Sequence, residues 1–379
     1  MQQYKKSVSS LLLLSLCIIS SFAFAQTRTV EVLTDGWKFA RGQQADAWKV
    51  GFDDHNWQTV AVPHDWAIYG PFDKEIDKQV VAIEQNGEKV ATEKTGRTGA
   101  LPYTGEGWYR KEFTLPGFKA GKKAILLFEG AMSEPKVYLN GNKVGEWNYG
   151  YSYFYFDITD ALLAGQKNLL AVHLNNKEAS SRWYPGAGLY RKVSIIIKDR
   201  ESVEQWGTSI TTPFISAEMA KVNVKTKVSA SNALLVTDIF DNTGKKVATD
   251  SIQKMFNNEF DQNIAVTYPK LWSPETPHLY KAVSRLYVGD QLKDEVTTRF
   301  GIRQISYSAE EGFQLNGHTR KFKGVCLHHD LGPLGAAVNV AALRRQLQIL
   351  KDMGCDGIRS SHNMPSMEQL ELCDEMGFM

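Results

Sequence analysis

The sequence predicts a multidomain, mainly β protein in which two consecutive β-sandwiches precede the start of an α/β domain. Three observations lead to this fold class. The chain has 379 residues, which leaves room for two or three domains. Short alternating apolar runs separated by turn residues extend from Gln26 to about Ser306. After Gly324 the pattern changes to strand, helix, strand and helix, which is typical of α/β folds.

The first 25 residues have the pattern of a secretion signal. Lys5 and Lys6 precede the apolar run LLLLSLCII, and Ala23-Phe24-Ala25 supplies a small-x-small cleavage site before Gln26. The apolar run is too short to span a membrane comfortably. We therefore expect a secreted or periplasmic protein that is cleaved after Ala25.

Residues 26–200 form the first β block. Its alternating runs are AILLFEG, KVYLNGNKVGEW, YFYFDIT and NLLAVHL, and no segment in it has a long helical period. Asn140-Gly141 supplies two residues that tolerate positive φ, so a tight hairpin is expected there. Many short strands at regular spacing predict a β-sandwich of the jelly-roll type.

Residues 201–306 form a second all-β block. VNVKTKVSA and LLVTDIFDNTGKKVATDSI alternate between apolar and polar residues, and Asp241-Asn242-Thr243-Gly244 marks a turn. The block ends in two strands around a Val288-Gly289-Asp290 turn. About a hundred residues with about seven such runs match an immunoglobulin-like sandwich.

Residues 307–379 combine strands with helical periods. GVCLHH has the character of a strand, and Asn339 can cap the segment VAALRRQLQILKDM, whose apolar residues fall three or four positions apart. Gly354 ends this helix. CDGIRSS is a second strand, and SMEQLELCDEM after Pro365 is a second helix that Gly377 ends.

Composition excludes one class of partner and suggests another. The 44 basic and 42 acidic side chains give a net charge of +2, so the chain has no basic footprint for nucleic acid. Nine Trp and fifteen Tyr supply amphipathic rings of the kind that hold sugars, although core packing accounts for most large aromatics. Cys326, Cys355 and Cys373 are widely spaced, so we expect buried apolar thiols rather than a disulfide framework.

Two polar clusters follow the two predicted strands of the α/β region. His328-His329-Asp330 ends the first strand and Ser361-His362-Asn363 ends the second. In an α/β barrel the working residues lie where strands end, so both clusters should meet at one mouth. Side-chain alternation lets Val325 and Leu327 face the helices while His328 points inward, and it turns His329 the other way.

The residue types at this mouth allow three interpretations. Histidines beside an aspartate can bind a metal, but HHD lacks a spacing that would orient three ligands at one ion. The histidines can also have a structural role, in which they bond neighbouring loops. Hydrogen bonding to a substrate is favoured, because barrel enzymes keep their polar substrate contacts at this end.

A series of long motifs runs through the chain after the signal segment: DGWKFARG, FDDHNWQTVAVPHDW, GWYRKEF, VYLNGNKVG, SSRWYPGAGLYR, LWSPETPHLY, FGIR, GFQLNGHTRKFKGVCLHHDLGPLG and GIRSSHNMP. In this order they resemble the N-terminal part of a glycoside hydrolase family 2 enzyme of the β-galactosidase and β-glucuronidase kind. The resemblance implies a sugar-binding jelly roll at 26–200, an immunoglobulin-like domain at 201–306 and, at 307–379, the truncated start of a catalytic (β/α)8 TIM barrel.

The resemblance also implies a set of substrate-binding residues. The residues that match a terminal-sugar subsite and the jelly-roll loop above it are His328, His362, Asn363, Asp330, Arg182 and Trp183. Trp183 has two interpretations of equal weight: it contacts the sugar, or it buries the contact between domains. Asp65-Trp66 is interpreted as structural.

No catalytic residue is expected in this chain. A (β/α)8 barrel takes roughly 250 residues, whereas 59 residues run from Lys321 to Met379. The family's acid/base and nucleophilic glutamates lie on later strands, and retaining hydrolysis needs the two carboxyl groups roughly 5 Å apart. The sequence is therefore expected to be an inactive fragment of a longer enzyme.

The predicted function of the full-length enzyme is retaining hydrolysis of terminal β-glycosidic bonds in oligosaccharides or glycans. A β-galactosidase is favoured because HHDLGPLG resembles the form found in secreted enzymes that degrade β-galactosides. The alternatives are β-glucuronidase and β-mannosidase, or a non-catalytic carbohydrate-binding protein. A binding module would not need a barrel start that carries subsite histidines. No cofactor is predicted for this chain, although the resemblance allows a divalent cation in the full-length enzyme.

Overall fold

The fold is known from a computed structural model, which describes residues 27–75, 78–95, 105–177 and 183–379. The predicted signal segment and Arg182 lie outside these ranges. Within them, no helix is long and apolar enough to cross a lipid bilayer.

The first sandwich consists of two antiparallel sheets. Its strands are β1 (Thr29–Val32), β2 (Trp37–Arg41), β3 (Gln58–Val60), β4 (Lys78–Val81), β5 (Thr92–Thr95), β6 (Gly105–Thr114), β7 (Lys122–Phe128), β8 (Lys136–Leu139), β9 (Asn142–Glu146), β10 (Phe154–Asp157), β11 (Lys167–Asn176) and β12 (Val193–Asp199). One sheet has the order β1-β12-β7-β10 and the other β3-β2-β6-β11-β8-β9, while β4 and β5 form a separate hairpin.

An apolar core fills the space between these two sheets. Leu126 and Phe128 of β7 pack in it with Ile195 of β12 and with Trp37 of β2. The opposite face of the four-stranded sheet is also covered, because Ile125, Leu127 and Ile196 form a second, smaller cluster there. Alternating side chains on β7 and β12 thus reach apolar surroundings on both faces. The sandwich therefore closes its own core.

The second sandwich matches the predicted immunoglobulin-like block. Its strands are β13 (Val203–Ile215), β14 (Met219–Val228), β15 (Ala233–Phe240), β16 (Lys246–Lys254), β17 (Glu259–Thr267), β18 (Tyr280–Val288) and β19 (Gln291–Phe300). They form a three-stranded sheet, β13-β14-β17, and a four-stranded sheet, β16-β15-β18-β19. Residues of β14 alternate between exposed and buried along its length, so one face of the three-stranded sheet is core and the other faces solvent.

Three predicted turns are present. Asn140 and Gly141 have φ of 52° and 82°, and they join β8 to β9 as a two-residue hairpin. Gly244, with φ of 84°, closes the turn between β15 and β16, and its amide donates to Asp241 O over 3.0 Å. Gly289 has φ of 57° between β18 and β19. These positive φ values explain why glycine or asparagine stands at each turn.

The third region begins with a small meander and continues as one strand–helix–strand–helix unit. The meander strands are β20 (Ile305–Ser308), β21 (Gly312–Leu315) and β22 (His318–Thr319); then follow β23 (Gly324–Leu327), α1 (Val340–Asp352), β24 (Gly357–Ser360) and α2 (Met367–Met376). Strands β23 and β24 pair in parallel, with Leu327 opposite Ser360. This is the arrangement that opens a (β/α)8 barrel.

Both helices begin and end where the sequence indicates. The Asn339 side chain accepts from the Ala342 amide over 3.0 Å at the start of α1. Ser366 caps α2 in the same way by accepting from the Gln369 amide over 3.2 Å. Gly377 ends α2 in the left-handed conformation, with φ of 75°. The Asn339 cap, the start after Pro365 and the glycines that follow each helix are the signals that predicted these bounds, and the Ser366 cap is an additional finding.

Polar contacts join the third region to both sandwiches. They connect Arg191 Nη2 to Met364 O (2.7 Å), Trp272 Nε1 to Asp374 O (2.8 Å), Lys351 Nζ to Pro274 O (2.9 Å) and Arg299 Nη1 to Glu375 Oε1 (2.5 Å). Trp272 is fully buried, so its role at this contact is structural.

Candidate functional site

The two predicted polar clusters meet at one edge of the parallel strand pair. His328 follows the end of β23, and Ser361, His362 and Asn363 follow the end of β24. Because parallel strands end at the same edge, the two histidines become neighbours. The centroids of their rings lie 5.9 Å apart, with the rings at 78° to each other. We call this cluster of His328, Asp330, His362 and Asn363 the barrel mouth.

The side chains of β23 alternate as strand geometry requires. Val325 and Leu327 pack against the apolar cluster of α1 and α2, which includes Leu343 and Leu347. His328 lies on the opposite side at the mouth. The predicted division between helix-facing and mouth-facing residues is therefore found.

His329 turns away from the mouth toward the first sandwich. Its Nε2 lies 3.0 Å from Pro185 O, and its ring meets Tyr151 at 82° with centroids 5.1 Å apart. Burial lowers the pKa of His329, so the imidazole is neutral at neutral pH. His329 has the structural role that one interpretation assigned to both histidines, whereas His328 does not share these contacts.

Trp183 covers the mouth from the first sandwich. Its indole stacks on the His328 ring with centroids 4.2 Å apart and an interplanar angle of 17°. Its Nε1 donates to Asp330 Oδ1 over 2.8 Å. Trp183 remains 45% exposed. The indole thus buries part of its surface in the domain contact, and the rest is exposed at the mouth. The adjacent Arg182 lies outside the described residues.

Tyr149 is a mouth residue that the sequence analysis missed. It lies in the loop between β9 and β10, and its hydroxyl donates to Asn363 Oδ1 over 2.7 Å. Two residues further on, Tyr151 contacts His329, and Tyr153 Oη accepts a hydrogen bond from the Met367 amide. A single loop of the first sandwich therefore contacts the segments that follow both barrel strands.

A sequence signal for this loop exists. Every second residue from Trp147 to Tyr155 is aromatic, and alternation places such residues on one face of an extended segment. The predicted strand YFYFDIT includes only the last part of this pattern. Tyr149 and Tyr151 precede the strand and could have been recognised as a docking surface.

Asp65 of the VPHDW motif connects the first sandwich to the loop after β23. Its buried carboxylate accepts from the amides of Ala67 (3.0 Å), Ala187 (2.9 Å) and Ala336 (2.8 Å) and from Tyr184 Oη (2.6 Å). Burial raises the pKa of Asp65, and the hydrogen bonds oppose that shift. Position 335 beside this carboxylate requires glycine, because its φ is 59° and a Cβ there would overlap the Asp65 carboxylate. Asp65 is therefore structural, and it joins the first-sandwich loop of Tyr184 and Ala187 to the loop that follows β23.

Burial favours the neutral form of His328. Burial lowers its pKa, a positive charge on His362 would lower it further, and the Asp330 carboxylate acts in the opposite direction. A neutral imidazole can donate from one nitrogen and accept at the other. Such a group suits a hydroxyl, which also both donates and accepts.

The mouth therefore presents hydrogen-bonding groups around a half-exposed indole. Clefts that combine aromatic surface with a few convergent polar groups bind organic ligands that carry both kinds of surface, and a sugar has apolar ring faces and many hydroxyls. Within the described ranges, no group of three or more His, Cys, Asp or Glu side chains is arranged to hold a metal ion.

Family models match nearly all of the described chain. The sugar binding domain of glycosyl hydrolases family 2 matches residues 30–199, the family 2 model matches residues 206–303, and the TIM barrel domain of the family matches residues 308–379. The chain belongs to glycosyl hydrolases family 2. The predicted resemblance and the predicted architecture are thus confirmed.

Similar proteins include a β-galactosidase and a putative β-glucuronidase. A β-galactosidase of Bacteroides ovatus is 39% identical over 370 residues, which are 95% of this chain and 42% of that protein. A putative β-glucuronidase of Formosa agariphila is 35% identical over 371 residues, which are 97% of this chain and 34% of that protein. The chain therefore spans less than half the length of these relatives.

Solved structures agree with this assignment. A family 2 glycosyl hydrolase from Bacteroides cellulosilyticus superposes with a TM-score of 0.83 at 34% identity, over 92% of this chain and 45% of that chain. A β-glucuronidase of Bacteroides uniformis superposes with a TM-score of 0.78 at 29% identity, over 93% of this chain and 42% of that chain.

Proposed function

We propose that the complete protein is a retaining exo-β-glycosidase, and specifically a β-galactosidase. Membership of glycosyl hydrolases family 2 supports glycoside hydrolysis as the reaction. The 39% identity to a β-galactosidase supports galactose as the sugar that is released. We propose further that it acts outside the cytoplasm, because residues 1–25 have the pattern of a secretion signal.

The observation that carries the proposal is the convergence of His328 and His362 beneath Trp183. In this role the neutral His328 and the Asn363 amide hydrogen-bond the hydroxyls of the terminal sugar. Trp183 contributes its exposed surface to a sugar face, and Asp330 holds the indole through Nε1. Tyr149 orients Asn363 through its hydroxyl.

These residues bind and orient the sugar, and they do not supply the chemistry. Retaining hydrolysis uses an acid/base carboxyl group and a nucleophilic carboxylate roughly 5 Å apart on either side of the glycosidic bond. We propose that both come from barrel strands that follow β24. On this basis the 379-residue chain alone should not turn over any glycoside.

β-Glucuronidase is the second candidate. The 35% identity to a putative β-glucuronidase and the superposition on a β-glucuronidase structure favour it. The two functions differ in one requirement, since a uronate carboxylate needs a cationic partner that galactose does not need. That partner would belong to the complete active site.

Turnover of aryl glycosides by the complete protein tests the proposal. We expect kcat/KM for the 4-nitrophenyl β-galactoside to exceed that for the β-glucuronide and the β-mannoside by at least about tenfold. NMR of the first product should show the β-anomer. A preference for the glucuronide would favour the second candidate, β-glucuronidase. A first-formed α-anomer would exclude a retaining mechanism. No turnover of any of the three substrates would exclude the proposed glycosidase activity.

A further inference from the structure

The second sandwich contains a cavity of about 530 Å³ that shares no residue with the barrel mouth. It lies at one end of the three-stranded sheet. The residues that line it are Glu204, Gln205, Trp206, Gly207 and Ser209 of β13, Lys225, Thr226 and Lys227 of β14, Lys254 and Asn257, and Glu259, Phe260 and Asp261 of β17. We call it the β13 cavity.

A bulge in β13 forms one wall of this cavity. Val203 pairs with Val228 and Thr208 pairs with Thr226, so residues 204–207 stand opposite a single residue of β14. A Cβ on Gly207 would collide with Lys227 O, which explains why glycine occupies that position. Bulges of this kind redirect side chains, and they are frequent beside functional sites.

Trp206 is the side chain that the bulge redirects. Its φ is 56°, a conformation that bulky residues rarely adopt. The indole contacts Tyr155 and Tyr153 of the first sandwich, with ring centroids 5.3 Å and 6.3 Å apart, and still remains 53% exposed. These contacts hold it in place beside the cavity, where its free surface can stack on a ligand.

A buried polar atom without a partner lies in the wall of the cavity. The side-chain oxygen of Gln205, the residue before the indole, is buried and has no hydrogen-bond partner among the described residues. Buried polar groups are normally hydrogen-bonded, so this oxygen indicates that a further polar molecule belongs there. Thr226 does not contribute its hydroxyl, because its side chain lies with Val224 and Val228 on the core face of β14, opposite to Lys225 and Lys227.

The charges around the cavity select the kind of molecule. Among the described lining residues, three lysines stand against three acidic side chains. Lys225 Nζ lies 4.0 Å from Asp261 Oδ2, and Lys227 Nζ lies 3.9 Å from Glu259 Oε1. The positive and negative charges therefore largely neutralise one another. Such a surface offers many hydrogen bonds but no net field to attract an ion. The cavity suits an uncharged ligand that is rich in hydroxyls.

We propose that the β13 cavity is a second carbohydrate-binding site, which takes a neutral oligosaccharide on Trp206 independently of the barrel mouth. The indole provides the stacking surface, the side-chain oxygen of Gln205 a buried hydrogen-bond acceptor, and the charged pairs and Asn257 the rim. Such a site would hold the protein on a glycan chain, whatever the sugar that the mouth accepts.

Binding of defined oligosaccharides to the full chain tests this site. The probes are β-1,4-linked galactotetraose and cellotetraose, with tetragalacturonic acid as the charged counterpart, measured by isothermal titration calorimetry and saturation-transfer NMR. We expect a neutral probe to bind and Trp206→Ala to weaken it at least tenfold, while Trp206→Phe retains most of the affinity. Phe214→Ala, an exposed aromatic on the same strand that does not line the cavity, is the matched control and should have no effect.

Further variants distinguish this site from the mouth and from a water site. His362→Ala should leave the affinity unchanged, and a loss equal to that of Trp206→Ala would place binding at the mouth and overturn the proposal. Gln205→Met should weaken the neutral probe severalfold. If it instead raises the melting temperature without changing the affinity, the Gln205 oxygen holds only water and the proposal is wrong. Tighter binding of tetragalacturonic acid than of either neutral probe would also overturn it.

Discussion

The sandwiches and the barrel start differ in how completely their strands are buried. In the first sandwich, five of the seven residues of β7 are buried, and in the second, buried and exposed residues alternate along β14. In the barrel start, no residue of β23 is buried, and Gly357 is the only buried residue of β24. The outer face of these strands packs on the two helices, while the inner face borders a cavity of about 320 Å³ next to Cys326 and Arg359.

This difference indicates that the sandwiches provide most of the stability, whereas the barrel start carries most of the residues of the mouth. Parallel strands are stable when both of their faces are covered, and here one face is covered by helices. The barrel start also depends on contacts from the sandwiches, including those of Asp65, Arg191 and Trp272. The mouth residues therefore follow two strands that are only partly buried, and contacts from the well-packed sandwiches hold them.

The largest expected effect follows from removal of a mouth histidine. In the protein with its complete barrel, His362→Ala and His328→Ala should each lower kcat/KM by about 30- to 1,000-fold, which corresponds to about 2–4 kcal/mol of transition-state stabilisation. The melting temperature should change little, because His362 is exposed and contacts His328 mainly through its ring edge.

Steady-state kinetics and thermal unfolding of the same preparations measure both quantities. His318→Ala, an exposed histidine on β22, is the matched control and should leave kcat/KM unchanged. A large fall in melting temperature together with nearly normal kinetics would mean that the mouth histidines are structural, as His329 is.

The next largest effect concerns the buried carboxylate that joins sandwich and barrel. Asp65→Ala removes the acceptor of four hydrogen bonds and leaves their donors buried. We expect the free energy of unfolding to fall by about 3 kcal/mol, measured by denaturant titration. Asp53→Ala, an exposed aspartate of the same sandwich, should change it by less than about 0.5 kcal/mol. An equal fall in the free energy of unfolding in both variants would show that Asp65 does not connect the sandwich to the barrel start.

A smaller effect is expected from the carboxylates between β7 and α2. Burial, together with the charge of Glu368, raises the pKa of Glu129 to about 7, while Lys192 and Arg191 oppose the shift and Glu371 adds to it. A carboxyl group with a raised folded pKa stabilises the fold below its unfolded pKa and loses that contribution as pH rises through the folded value. Stability should therefore decrease between about pH 4.5 and pH 7.

Glu129→Gln should flatten this pH dependence. Because Glu129 is only partly buried, we expect a change of about 1–2 kcal/mol in the difference between the free energies of unfolding at pH 5 and pH 8. Denaturant titrations at the two pH values measure that difference. Glu112→Gln, an exposed glutamate on β6, should leave it as it is in the unsubstituted protein. An unchanged pH dependence in Glu129→Gln would show that other groups cause it.

Local sequence signals predicted most of the fold. The Asn339 cap, the Gly377 helix end, the turn at Asn140-Gly141 and the alternation of Val325 with His328 each depend on residues within a few positions of one another. Short-range propensities and strand parity decide such features. The convergence of the two polar clusters was also predictable, because parallel strands end at one edge.

The missed parts of the site depend on contacts across domains. Tyr149 and Asn363 are 214 positions apart, and Asp65 and Ala336 are 271 positions apart. No local pattern in the sequence specifies which loop of one sandwich meets which loop of the barrel. The aromatic alternation from Trp147 to Tyr155 places Tyr149 on one face of an extended segment, but its partner Asn363 follows only from tertiary packing.

Hydrogen exchange on the 379-residue chain tests the comparison most directly. Amide protection, followed by mass spectrometry, reports the free energy of local opening in each element. We predict that Gly324–Leu327 and Val340–Asp352 exchange much faster than Lys122–Phe128 and Met219–Val228, because the barrel strands lack cover on their inner face. Protection of the barrel start equal to that of the sandwich strands would contradict the account, since the sandwich contacts and two helices would then be sufficient to stabilise it.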